Sequence, residues 1–325
     1  MQLNEKEATI LACVEHRADL TTEQIAKETG MQSHTIRYHL NGLEDRGIIR
    51  RIPFINMALA GVSYFGVYFN VPSACSFTTQ ELIDHLIALP QISWLSELSG
   101  DYRYGLAIGA TTLSDVHETI DHLNAKFCDL FFEKCVACQF EAVAYPRLYL
   151  SSKSFPNQPL RTVAKSPFVD LDDLDRKVLA ALCHIEHRSR RQLSQELAMP
   201  LSTLDLRVKK LEEKQIIPRY IYAINAQEYG MHLHTILVFA KGMSTALQQR
   251  MHDFALRHPA IVYLYSCLGS WDFELNVEVT DSREVSAIVE QLNQEFGDAL
   301  NTIKVLTKFR DLKLSPVPFA TGLDL

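Results

Sequence analysis

His34, Arg37, Tyr38 and Asn41 stand at positions i, i+3, i+4 and i+7, with no carboxylate among them. On a helix that spacing gathers them on one face, opposite Ile36, Leu40 and Leu43, with Ser33 and Thr35 beside them at the amino-terminal end. An imidazole, a guanidinium, a phenol and an amide can hydrogen-bond base edges and phosphates, and the positive end of the helix dipole lies alongside. Arg46, Arg50 and Arg51 follow closely and predict phosphate contacts. The same arrangement returns 168 positions later as Ser202, Thr203, Asp205, Leu206, Lys209 and Lys210. There a carboxylate and a leucine sit where a DNA reader needs neither. Arg190, Arg191 and Arg207 crowd this second region, so backbone contact is expected, while base reading and a repurposed surface both stay open.

The elements that must position these residues are also doubled. Leu3-Asn4-Glu5-Lys6-Glu7 through Leu11 returns as Leu171-Asp172-Asp173-Leu174-Asp175 through Leu179, and Leu43-Glu44 as Leu211-Glu212. After one added residue, Gly100-Asp101-Tyr102 returns as Gly269-Ser270-Trp271 and Leu123-Asn124 as Leu292-Asn293. In each copy an amphipathic helix is followed by a second one opened by a capping box, Thr21-x-x-Gln24 or Ser189-x-x-Gln192. Gly30 closes the second helix in copy one. The third helix carries the faces just described, and the apolar stretches from Ile48 and Ile216 predict the first strand of a hairpin. Three short helices and a hairpin make a winged helix-turn-helix.

Behind each head the pattern reads strand, helix, strand, strand, helix, strand. In copy one it runs from Tyr64 through helices at about Thr78 to Leu89 and Leu113 to Phe127, to a last strand near Phe132 to Tyr145. This βαββαβ order predicts a ferredoxin-like α+β body with helices on one sheet face, so the other face must be covered, most simply by the second body. The expected divisions are 1–56 (head one), 60–150 (body one), 151–168 (linker), 169–226 (head two), 230–314 (body two) and 315–325 (tail). The linker holds Pro156, Pro159 and Pro167, and its reach of roughly 55 Å is enough for two heads to address sites about 34 Å apart.

This order of domains, with the line Ser33-His34-Thr35-Ile36-Arg37-Tyr38-His39-Leu40-Asn41 and the turns Gly100-Asp101-Tyr102-Arg103 and Gly269-Ser270-Trp271-Asp272, resembles the Lrp/AsnC family of transcription regulators, present twice in one chain. The resemblance implies double-stranded DNA as partner, homo-oligomers formed through the bodies, and a small effector such as an amino acid. The effector would bind near Gly100, Asp101, Tyr102 and Arg103 or Gly269, Ser270, Trp271 and Asp272. Two departures are plain. Tyr38 and His39 stand where the family usually carries basic residues, and Arg103 stands where the turn tends to carry Asp, kept in copy two as Asp272.

Composition narrows the classes further. A net charge of −7 fits DNA binding only through a local basic face. Seven cysteines in irregular spacing fit reduced thiols. No run approaches the roughly 20 apolar residues of a membrane span, and the amino terminus does not read as a signal peptide, so a cytoplasmic protein is expected. Cys135-x-x-Cys138, with Cys128 upstream, falls on a strand, where residues three apart face opposite ways. His184-x-x-His187 ends a helix. No metal, no cofactor and no catalytic residue is expected, and the chain reads as a non-enzyme. The alternatives are a sirohaem decarboxylase-like enzyme on the same scaffold, or a ligand-sensing module whose heads dock protein.

Overall fold

The computed structural model describes residues 2–72, 77–127, 130–131, 133–163, 168–184 and 189–318. Cys128 and His187 lie outside the described residues. Head one is α1 (Glu5–Val14), α2 (Thr22–Thr29), α3 (Ser33–Asp45) and strand β1 (Ile49–Phe54). Body one is β2 (Ser63–Phe69), α4 (Thr79–Ala88), β3 (Ile92–Ser99), β4 (Tyr104–Ala110), α5 (Leu113–Phe127) and β5 (Lys134–Ala144), and a short β6 (Leu160–Val163) follows. Head two is α6 (Asp173–His184), α7 (Arg190–Glu196), α8 (Leu201–Glu213) and β7 (Arg219–Ile224). Body two is β8 (His232–Ala240), α9 (Thr245–Arg257), β9 (Ile261–Gly269), β10 (Phe273–Val279), α10 (Glu284–Phe296) and β11 (Leu300–Leu314). Both predicted capping boxes form, and Gly30 closes α2 at φ +80°. Among the described residues no helix is long and apolar enough to cross a membrane.

The wings differ from the expected hairpins. β1 pairs antiparallel with β7, from Ile49 opposite Ile224 to Phe54 opposite Arg219, so the two heads share one ribbon. The exchange goes deeper. Ala226 and Tyr229, which follow β7, complete the core of head one around Ile10, Ile36 and Leu43. Ile55, Met57 and Val62, which follow β1, complete the core of head two around Val178, Leu204 and Leu211. A head alone would expose that surface, which is why the two fold as a pair.

The bodies are joined as tightly. Each sheet has the ferredoxin-like order, β5-β2-β4-β3 and β11-β8-β10-β9. Edge strand β3 pairs with β11 and β5 with β9, so eight strands close a ring and no long edge is left to template aggregation. Helices cover the outside over two apolar cores. The inside holds Tyr68, Trp94, Tyr102, Phe239, Tyr265 and Trp271. The segment between the copies packs on head one: Leu150 joins its core, and Asn157 donates to the Ala12 carbonyl at 2.6 Å.

Candidate nucleic-acid interface

Helix α3 buries Ile36, Leu40 and Leu43 and turns His34, Arg37, Tyr38 and Asn41 to solvent, with Tyr38 76% exposed. Ser33 and Thr35 are half-buried beside them. No side chain caps the start of α3, which leaves amide donors available to an anion. The sequence missed one neighbour. Exposed Glu23 at the start of α2 lies in the field of Arg37, a proximity between helices that spacing along one helix does not reveal.

The three arginines that follow are placed differently from the expected phosphate contacts. Arg46 turns inward, 2.5 Å from buried Glu7, which also meets His39 at 3.6 Å. Arg51 donates to the Ala18 carbonyl at 3.0 Å and lies 4.6 Å over the Tyr220 ring, fastening one head to the other. Arg50 is half-buried and in the field of Cys183 of head two. Arg46 is thus a structural clasp, whereas Arg51, though it fastens the two heads, stays exposed beside the helix residues.

Head two repeats the geometry with other chemistry. Leu204, Val208 and Leu211 point inward, and Ser202, Asp205, Leu206 and Lys209 point outward, with Thr203 half-buried. At the matching places Arg37 becomes Asp205, Tyr38 becomes Leu206, which is 68% exposed, and Asn41 becomes Lys209. Arg207 pairs with Asp172 and with Asp175 at 2.9 Å, and Lys210 meets Asp175 at 2.8 Å. The Arg207 guanidinium beside Asp172 holds that carboxyl down at about 2. Asp175 is wholly buried. Drawing both cations off to phosphate would strand its charge, at about 3–5 kcal/mol. Lys209 faces Glu213 at 3.8 Å, Arg190 donates to Tyr220 at 2.9 Å, and Arg191 is exposed on α7.

The two turns lie where the bodies meet. Gly100 has φ +113°, and a Cβ there would stand 2.8 Å from the Val305 carbonyl of β11. Gly269 has φ +148°, and its Cβ would stand 2.5 Å from the Val136 carbonyl of β5. Only glycine fits both the dihedral and the approach. Around them Asp101 pairs with Lys304 at 2.8 Å, and the Val136 N–H donates to Ser270 at 3.0 Å. An Asp272 carboxylate oxygen accepts the Ala240 N–H at 2.6 Å, and Trp271 is buried in the inner layer. Tyr102 is half-buried and Arg103 exposed, its guanidinium 5.5 Å over the Tyr104 ring. A cleft of about 480 Å³ between α5, the Leu89–Gln91 segment and Pro318, and a hollow of about 330 Å³ at the end of α10, both lie away from these turns.

Sequence reading also missed a charged neck. Arg147 is buried between two carboxylates, holding Glu278 through two nitrogens at 2.7 Å and pairing with Glu15 at the end of α1. Tyr149 joins through Glu278 and meets Tyr229 at 2.7 Å. These residues are far apart in sequence and carry no local pattern. Cys135 packs in the inner layer and Cys138 against the helix-side core of body one, so the pair diverges, and burial raises both thiols.

Fold and interface define a tandem winged helix-turn-helix protein on a closed pair of α+β bodies. The family model described as winged helix-turn-helix DNA-binding matches residues 3–50 and again residues 171–217. An uncharacterized HTH-type transcriptional regulator of Pyrococcus furiosus is 29% identical over 150 residues, covering 46% of this chain and 82% of that protein. The chain is a homologue of HTH-type transcriptional regulators and carries their DNA-binding unit twice. An AsnC family regulator from Agrobacterium tumefaciens is a structural neighbour at 18% identity and TM-score 0.39, covering 45% of this chain and 95% of that one. The sirohaem decarboxylase NirDL matches end to end, with TM-score 0.60 and 14% identity over 98% of this chain and 95% of that one. This last likeness overturns the expectation of a non-enzyme. The whole doubled architecture belongs to a decarboxylase in NirDL, so the lack of a familiar catalytic motif does not set this chain apart from enzymes.

Proposed function

We propose that the chain is a sequence-specific DNA-binding transcription regulator in which head one reads the bases. The observation that carries this reading is the exposed face of α3, with His34, Arg37, Tyr38 and Asn41 outward and the helix start uncapped. Arg37 suits guanine, Asn41 suits adenine and Tyr38 can pack on a thymine methyl. Ser33 and Thr35 stand at the phosphate-facing end of the helix. Head two adds at most backbone contacts through Arg191 and Lys209. A small effector such as an amino acid acts at the Gly100 and Gly269 turns in this reading, where a ligand would touch both bodies at once. Such a regulator works in the cytoplasm and assembles as a homo-oligomer of the internal pseudo-dimer. The test is binding of the purified chain to fragments from its own gene neighbourhood at several salt concentrations. Specific binding that weakens with salt and is lost in Arg37→Ala/Tyr38→Ala supports the reading; equal binding by that variant contradicts it.

A second reading is favoured by the end-to-end likeness to NirDL, a sirohaem decarboxylase also solved with an iron-uroporphyrin III analogue. Under it the chain binds a tetrapyrrole carboxylate and releases carbon dioxide. A tetrapyrrole absorbance band in the purified protein, or decarboxylation of added sirohaem, supports this; the absence of both removes it.

A further inference from the structure

On the outer face of body one, His85 of α4 and His122 of α5 bring their Nε2 atoms to 3.2 Å. A tetrahedral ion with metal–nitrogen bonds of about 2.0–2.1 Å holds neighbouring ligand nitrogens roughly 3.3 Å apart. Two neutral imidazoles at this separation either share a proton or share a cation. The His85 ring is fixed in place, packing edge-on at 5.3 Å against Phe127, which packs in turn on Phe77 at 5.0 Å. His122 is exposed, so an ion can enter from solvent. Glu118, one helical turn before His122, lines the same 480 Å³ cleft as His122 and is exposed, accepting from the Ser114 hydroxyl at 3.4 Å. The i, i+4 spacing puts its carboxylate on the His122 face of α5. Among the described residues no three or more His, Cys, Asp or Glu side chains form a ready cage, so water completes the coordination unless Glu118 swings in. One group opposes a cation here: Lys126 lies one turn after His122, its ammonium 5.8 Å from the Phe127 ring.

We propose that His85 and His122 form a binding site for a borderline divalent cation, of which Zn²⁺ is the type, clasping α4 to α5 on body one. Imidazole pairs suit zinc, copper and nickel and do not suit magnesium or calcium. The inference stands apart from the DNA reading, since neither helix belongs to a head. Bound metal ties the two helices over the body-one core, so it stabilises the chain in proportion to its occupancy.

The test titrates chelator-treated full-length protein with Co²⁺, whose visible bands report imidazole coordination, and with Zn²⁺ by calorimetry. One equivalent is expected to bind, with a rise in melting temperature. His85→Ala and His122→Ala are each expected to weaken binding at least about tenfold, since a two-imidazole site loses half its protein ligands. Glu118→Gln should weaken it less, and Lys126→Ala should tighten it. Circular dichroism of each variant separates ligand loss from misfolding, and His85→Gln keeps side-chain bulk on α4 as a second check. No saturable binding, or binding that neither histidine substitution changes, overturns the proposal and leaves the pair a plain N–H···N hydrogen bond.

Discussion

Head one and head two share a frame and differ in what they offer. Both bury an isoleucine or valine and leucines of the third helix, both open the second helix with a capping box, and both lean on the other's neck. On the exposed face the pairs Arg37 and Asp205, and Tyr38 and Leu206, reverse charge and remove polarity. The necks differ in the same sense. Glu15, Arg147 and Glu278 of the head-one neck correspond to Cys183, Pro316 and Gly109 near head two, where Tyr64 donates to the Pro316 carbonyl at 2.7 Å. Even the inward positions of matching strands diverge, with Glu274 and Glu278 on β10 standing against Gly105 and Gly109 on β4. Two fused halves need not be identical, and here the buried ion cluster of Glu15, Arg147 and Glu278 lies at the neck of head one.

The largest effect should come from the neck. Arg147→Met leaves Glu15 and Glu278 buried without their cation and should cost about 3–5 kcal/mol, whereas Pro316→Ala at the mirrored place should change stability little. Denaturant unfolding of both variants decides it, and equal losses would mean that the necks carry the same load.

Glu274 sharpens the contrast between β10 and β4. It is buried facing Gln139 of body one at 3.3 Å, and burial pushes its carboxyl up to about 7. A carboxyl whose folded pKa is raised binds more protons folded than unfolded, so its contribution is least unfavourable at acid pH. That contribution becomes unfavourable as pH rises from the unfolded value near 4.5 through about 7. Glu274→Gln should therefore gain up to about 3 kcal/mol at pH 8 and almost nothing at pH 4. Parallel stability profiles for the variant and the native chain from pH 4 to 8 would refute this.

Smaller changes probe head two itself. Asp205→Arg removes a carboxylate from the exposed face of α8 and should raise affinity for nonspecific DNA several-fold, about 1 kcal/mol, with a steeper salt dependence. Lys209→Ala should lower the slope of log affinity against log salt by no more than about 1. Fluorescence anisotropy against salt reads both, and a larger drop for Lys209→Ala than for Arg37→Ala would invert the ranking of the heads.

The helices and the order of the bodies were legible because their signals are local. Ile36, Leu40 and Leu43 repeat at helical spacing, Thr21 and Gln24 cap reciprocally, and Gly30 marks a left-handed stop. Pairing at a distance was not. Nothing near Ile49 announces Ile224 as its partner, so the shared ribbon replaced the expected hairpins. Charge was legible where engagement was not. Arg46, Arg51, Arg207 and Lys210 read as free cations until Glu7, Tyr220 and Asp175 came into contact with them. The two glycine turns were legible as turns, but the close approach to the other body that demands glycine there was not, and no periodicity identifies Arg147 as a buried hub.

The most direct test compares two double variants on one specific DNA fragment, Arg37→Ala/Tyr38→Ala in head one and Asp205→Ala/Leu206→Ala in head two. Each lost base contact is worth about 1–3 kcal/mol, so the first pair should weaken specific binding by about 30-fold or more. The second pair should change it less than about threefold. Equal losses from both heads, or a larger loss from head two, would contradict the assignment of base reading to head one.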